Sequence, residues 1–124
     1  MKLTASIVVT GIVGALLALA PAALAKDGDV RVAGTCTKAS SSKLKLSRED
    51  AGTGVEFEVD QNRNGVRWRV VLFRNGAQVA SRVRVTRAPS GSFEARFVST
   101  GSGRFVARAT SPTGERCTAR ASMA

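Results

Sequence analysis

From residue 26 onward the chain alternates apolar and polar side chains with a period of two, and no stretch carries the 3.6-residue period of a helix. Val30 and Val32 alternate with Asp29 and Arg31, and Leu44 and Leu46 with Lys43, Lys45 and Ser47. Val55, Phe57 and Val59 alternate with Glu56, Glu58 and Asp60, and Val66, Trp68, Val70 and Leu72 with Arg67 and Arg69. The pattern returns at Val83 and Val85, at Phe93 to Phe97, at Phe105 to Ala109 and at Cys117 to Ala121. Turn chemistry separates the runs: the segment 61–65, Asn75-Gly76, Pro89-Ser90-Gly91, Gly101-Ser102-Gly103 and Pro112-Thr113-Gly114. Asn75-Gly76 is the strongest hairpin signal, since both residues tolerate the positive φ of a two-residue turn. Strands of this kind bury one face and wet the other. The expectation is an all-β, two-sheet antiparallel sandwich of seven to eight strands.

The first 25 residues follow a different pattern. Lys2 gives a positive start, Ile7 to Leu19 is apolar apart from Thr10 and two glycines, and Pro21 breaks the run. Ala23-Leu24-Ala25 then offers small residues where a signal peptidase reads them. Residues 1–25 are expected to be a cleaved secretory signal peptide, and residues 26–124 a single β-sandwich domain. A membrane anchor needs about 18 or more apolar residues, longer than this run. No cysteine follows the cleavage point to take a lipid. The expected product is secreted, with no transmembrane segment left after cleavage.

Two cysteines, Cys36 and Cys117, stand near the ends of the domain. In an exported chain an even pair reads as a disulfide, with free thiols or an intermolecular bridge as the alternatives. A bridge would require the first and last strands to lie side by side, with Cα atoms within about 7 Å. It would close a loop of about 80 residues, worth roughly 4 kcal/mol in the chain-entropy model.

Charge is distributed unevenly. The formal net charge is +10. Residues 26–65 balance seven basic against seven acidic side chains, whereas residues 66–124 carry eleven arginines, no lysine, and only Glu94 and Glu115. Arg67, Arg69, Arg82, Arg84, Arg96, Arg104 and Arg108 all alternate with apolar residues, so all are expected on outward faces. If their strands share a sheet, they form a basic surface that grips phosphate or carboxylate through guanidinium forks. The competing reading is arginine as a soluble strand-face residue that also blocks edge pairing, in a chain whose Arg-, Ala-, Gly- and Val-rich composition suits a GC-rich coding sequence.

The segments Gly34-Thr35-Cys36, Lys43-Leu44-Lys45-Leu46, Val55 to Asp60, Trp68, Asn75-Gly76, Ser90 to Phe93, Ala107-Arg108-Ala109 and Gly114 to Cys117 together resemble small exported Ig-like proteins of high-GC Gram-positive bacteria. The resemblance spans nearly all of residues 26–124 and implies an Ig-like or fibronectin-III-like sandwich. It brings no activity and no functional residue with it. The antibody pin, a tryptophan soon after the first cysteine of a central bridge, is absent, because Trp68 lies far along the chain from Cys36.

The chain has no histidine and no tyrosine. Ser-His-Asp and Cys-His catalysis, histidine metal sites and tyrosine acid chemistry are therefore excluded. No phosphate loop, dinucleotide fingerprint or calcium loop is present, and no cofactor is expected. Glu56, Glu58 and Asp60 share one strand face; on a flat sheet they read as solvated side chains, paired with Arg67 and Arg69 if the segment 61–65 is a hairpin. Trp68, Phe57, Phe93, Phe97 and Phe105 fall on the inward phase, and only Phe73, beside Arg74, is out of step. Base stacking needs exposed aromatics among basic residues, so sequence-specific nucleic-acid binding is not expected. The function expected is a secreted, non-catalytic interaction module for an acidic polysaccharide, wall polymer or other extracellular polyanion. The alternative is a secreted enzyme inhibitor or small-ligand carrier presenting the loops 61–65 and 87–92.

Overall fold

The computed structural model describes residues 28–124; the leader expected over residues 1–25 lies outside the described residues. Nine strands form, with no helix among the described residues: β1 Val30–Ala33, β2 Thr35–Cys36, β3 Ser41–Glu49, β4 Gly52–Asp60, β5 Arg67–Arg74, β6 Ala77–Val85, β7 Ser92–Ser99, β8 Gly103–Thr110 and β9 Arg116–Met123. They build two antiparallel sheets, a four-stranded one in the order β1-β3-β4-β7 and a five-stranded one in the order β2-β9-β8-β5-β6.

The expected alternation is what makes this sandwich. Leu44, Leu46, Val55, Phe57 and Val59 line the inside of the four-stranded sheet together with Phe93 and Phe97, and all are buried. Opposite them, Trp68, Val70 and Leu72 on β5 and Phe105 on β8 supply bulk, while Ala107, Ala109 and Ala119 supply flat ground. Bulky and small side chains are thus mixed over the inner faces, which lets two layers about 10 Å apart interdigitate. Trp68 packs on Phe93 with ring centroids 5.9 Å apart and satisfies its indole by donating to Gln61 Oε1 at 3.1 Å.

The count rises to nine because the first segment serves both sheets. β1 pairs with β3, and two residues later β2 pairs with β9. Gly34 is the crossing point: its N–H donates to the Ser42 carbonyl at 2.9 Å. A Cβ there would collide with Ser42 Oγ and the Thr118 carbonyl oxygen, so only a residue without a side chain passes. β2 brings Cys36 directly opposite Cys117, Cα to Cα 4.0 Å, and the two form the disulfide.

Asn75 and Gly76 turn β5 into β6 with φ of 51° and 88°. The hairpin then departs from the sequence pattern. Arg74 faces Ala77 and Phe73 faces Gln78, but Leu72 faces Ala80, leaving Val79 as the extra residue of a β-bulge. One extra residue reverses the facing of everything beyond it. Val83, expected inside, therefore lies outside and is 45% exposed. Arg82 and Arg84, expected outside, stand opposite Val70 and Trp68 on the inner side.

Candidate anion-binding face

On the outside of the five-stranded sheet, β5 presents Arg67 and Arg69, β8 presents Arg104 and Arg108, and β9 presents Arg116 and Arg120. All six are exposed, and the ladder places no aspartate or glutamate among them. Thr110, Thr118 and Ser122 stand between them, with half-buried Val71, Phe73 and Val106 as the apolar ground. Among the described residues, none of the six joins an ion pair.

The register spaces these charges. Arg108 faces Val71 on one side and Thr118 on the other, Arg120 faces Val106, Arg104 faces Ser122, and Thr110 separates Arg69 from Arg116. No two arginines are direct cross-strand partners, so the strongest like-charge repulsion a sheet can suffer is avoided. With about 6.8 Å between same-face positions along a strand and about 4.8 Å between strands, diagonal neighbours are about 8 Å apart at Cα. Arg69, Arg108, Arg120 and Arg104 therefore step diagonally across the sheet, as a chain of anionic groups would be followed. The Arg108 guanidinium lies 5.3 Å from the Phe73 ring centroid, a cation–π contact that holds it against the surface. Phe73 itself is half-buried. At one end of the face, Arg67 and Arg69 join Val83, Thr110 and Pro112 around a depression of about 370 Å³.

Three of the seven arginines expected on one surface are elsewhere. Arg96 is on β7, in the other sheet, and donates to Glu94 at 3.0 Å with Glu56 at 4.0 Å. The hydrogen bond and charge of Glu94, then the charge of Glu56, raise its pKa above the ordinary arginine value. Arg82 and Arg84 were turned inward by the bulge at Val79. At the open side of the sandwich, Arg82 lies over the Phe97 ring at 4.6 Å and donates to the Arg96 carbonyl at 2.7 Å. Inward-pointing charges on a long edge strand also discourage pairing with another edge. Conversely, Arg116 and Arg120 belong to the basic face although they were not among the expected seven. Their alternation with Cys117, Ala119 and Ala121 carried the signal.

The acidic strand also has other partners than expected. β4 pairs with β3 and β7, and the segment 61–65 crosses between sheets. Glu58 meets Lys43 at 3.3 Å and Glu56 meets Lys45 at 3.6 Å, in place of Arg67 and Arg69. Asp29 adds Arg31 and Lys45 to the network.

The loops 61–65 and 87–92 lie against each other. Gln61 N–H donates to the Gly91 carbonyl at 3.0 Å, and the Thr86 hydroxyl donates to the Arg63 carbonyl at 2.6 Å. Gly91, at φ 69°, packs where a Cβ would strike the Arg63 backbone nitrogen. No helix of the described residues is long and apolar enough to cross a membrane. No protein-family model matches the chain, and neither the curated proteins nor the solved structures give a match.

Proposed function

We propose that this protein is a secreted, non-catalytic module of Ig-like, fibronectin-III-like type whose basic face binds an extracellular acidic polysaccharide or wall polymer. The observation that carries the reading is the set of six unpaired, exposed arginines on one side of one sheet with no carboxylate among them. Each guanidinium offers a planar fork suited to carboxylate, sulfate or phosphate, and intervening hydroxyls suit a hydroxylated polymer. The hairpin-and-crossing order of β3-β4-β7 against β9-β8-β5-β6 is compatible with the fold-type reading, as is the resemblance to small exported proteins of high-GC Gram-positive bacteria. Export accords with the leader pattern and with the disulfide. Retention on immobilised heparin and on purified cell wall tests the function. It should fall steeply with salt, because each neutralised anionic group releases counterions. Elution alongside a neutral β-sandwich control would overturn it.

A second reading, a secreted enzyme inhibitor, is favoured by the mutual bracing of the loops 61–65 and 87–92, since pre-ordered loops bind with less entropic loss. Excess protein assayed against a panel of proteases and glycosidases tests it, and lack of inhibition throughout would remove it.

A further inference from the structure

The depression at one end of the basic face differs from the rest of that face. Arg67 and Arg69, two positions apart on β5, share a hollow of about 370 Å³ with Val83 on β6, Thr110 at the end of β8 and Pro112 in the turn that follows. Both arginines are exposed, and among the described residues neither joins an ion pair.

The register explains why two arginines here have an apolar wall beside them. Arg67 faces Val85 and Arg69 faces Val83 across the β5-β6 ladder. Val83 is on this side because the bulge at Val79 turned the rest of β6 over, and it is exposed. Pro112, exposed in the turn after β8, supplies a second apolar surface. On the other side of Arg69 stands Thr110, which in turn faces Arg116 on β9. A hydroxyl thus stands between two arginine positions, one strand spacing of about 4.8 Å from each.

An inorganic anion would use the arginines and leave Val83 and Pro112 wet. An aliphatic acid would use the walls and leave the Thr110 hydroxyl unanswered. A ligand that uses all three features carries an anionic group, an apolar face and hydroxyls on one small frame. A pyranose ring with a carboxylate has them: C–H bonds on a ring face, hydroxyls around the rim, and a planar anion that matches the guanidinium fork. We propose that this depression is the subsite for one hexuronate unit of an acidic polysaccharide. Its carboxylate meets Arg67 and Arg69, a ring hydroxyl meets Thr110, and the C–H face rests on Val83 and Pro112. The volume is at the low end for small-molecule sites, which suits a single sugar unit. From there the polymer continues toward Arg108 and Arg120, the next arginines on the diagonal. The assignment rests on the polyanion reading of this face and adds a demand for the sugar ring that charge alone does not impose.

The test titrates the intact chain with methyl glucuronide, methyl glucoside, acetate and glucose 6-phosphate. Backbone amide shifts over residues 67–69 and 110–112 and the fluorescence of Trp68, which lies between the two arginines, report binding. The glucuronide should bind with a dissociation constant on the order of 5 mM, in keeping with so small a ligand. The glucoside, which lacks the charge, and acetate, which lacks the ring, should each bind about tenfold more weakly. Glucose 6-phosphate should bind no tighter than the glucuronide. Arg69→Gln should weaken the glucuronide about fivefold, with the glucoside's weaker binding unchanged. Thr110→Val should weaken glucuronide and glucoside alike and leave acetate as it was. Amide spectra otherwise like the parent's will show that both variants fold. Acetate binding as tightly as the glucuronide, tighter binding of glucose 6-phosphate, shifts confined to the end of the face holding Arg104 and Arg120, or no shift at about 50 mM glucuronide would each overturn the proposal. Heparin retention of the same sample separates the two readings. Steep salt dependence without glucuronide binding sinks the subsite alone, and glucuronide binding without salt-dependent retention upholds the subsite and removes the extended polymer face.

Discussion

The two outer faces of this sandwich are made by the same alternation and behave oppositely. On the four-stranded sheet, Arg31, Lys43, Lys45 and Arg96 are matched by Asp29, Glu56, Glu58 and Glu94, and every ion pair among the described residues lies there. On the five-stranded sheet, six arginines face water with hydroxyls and valines between them. Surface ion pairs contribute little to stability, so the matched face is mainly a way of carrying charge without a net field. The unmatched face keeps its field, and β-ladder stagger is what makes it tolerable. A charged surface becomes available for binding when its cations have no carboxylates within reach, however many cations it has.

The largest effect should come from the covalent tie at the margin of the basic sheet. Replacing Cys36 and Cys117 by serine removes the crosslink across 81 residues of sequence separation and should lower stability by about 4 kcal/mol in urea unfolding. Polyanion retention under native conditions should persist, since neither cysteine is on the basic face; its loss with the fold intact would break the assignment of binding to that face.

Changing four arginines at once tests the comparison directly. Arg67→Ser, Arg69→Ser, Arg108→Ser and Arg120→Ser together should weaken heparin binding about a hundredfold at low salt and flatten the salt slope by roughly three to four units. The matched face provides the control. Replacing Arg31, Lys43, Lys45 and Arg96 by serine removes the same charge and should change binding far less, because those cations are already neutralised. Equal losses would mean that net charge alone governs retention.

Arginines at the seam should matter to folding and those on the face should not. Arg82→Ala removes the contact with Phe97 and the bond to the Arg96 carbonyl, and should cost about 1 kcal/mol by denaturant midpoint. Arg69→Ala should stay within about 0.5 kcal/mol. Smallest of all, Glu56→Gln breaks two ion pairs of a half-buried surface carboxylate and should cost about 0.3 kcal/mol at low salt, a difference that fades as salt is added. Salt should also stabilise the parent chain slightly by screening its arginine face, and the four-serine variant should lose that gain.

Much of this architecture is written locally. Period two, broken by Asn75-Gly76 and by the glycine- and proline-rich turns, specifies strands, an inner face of Leu44, Val55, Phe57, Trp68 and Phe97, and an outer face rich in charge, because a strand's side chains must alternate whatever it pairs with. The two cysteines, read as a bridge, also foretold that the segment holding Cys36 lies beside the last strand, although that segment is β2 and the first strand, β1, belongs to the other sheet.

Which strand lies beside which was decided only in three dimensions, and charge matching depends on that. Lys43 and Lys45 neutralise Glu58 and Glu56 because β3 pairs with β4, and Arg67 and Arg69 stay free because β5 sits in the other sheet. Arg82 and Arg84 changed sides through the single extra residue at Val79, since facing in a sheet is conserved only while register is unbroken. The sequence by itself determined which side chains are buried on most strands; tertiary pairing decided which arginines are left without a carboxylate, because electrostatic partners across a sheet are set by register and neighbour order and not by distance along the chain.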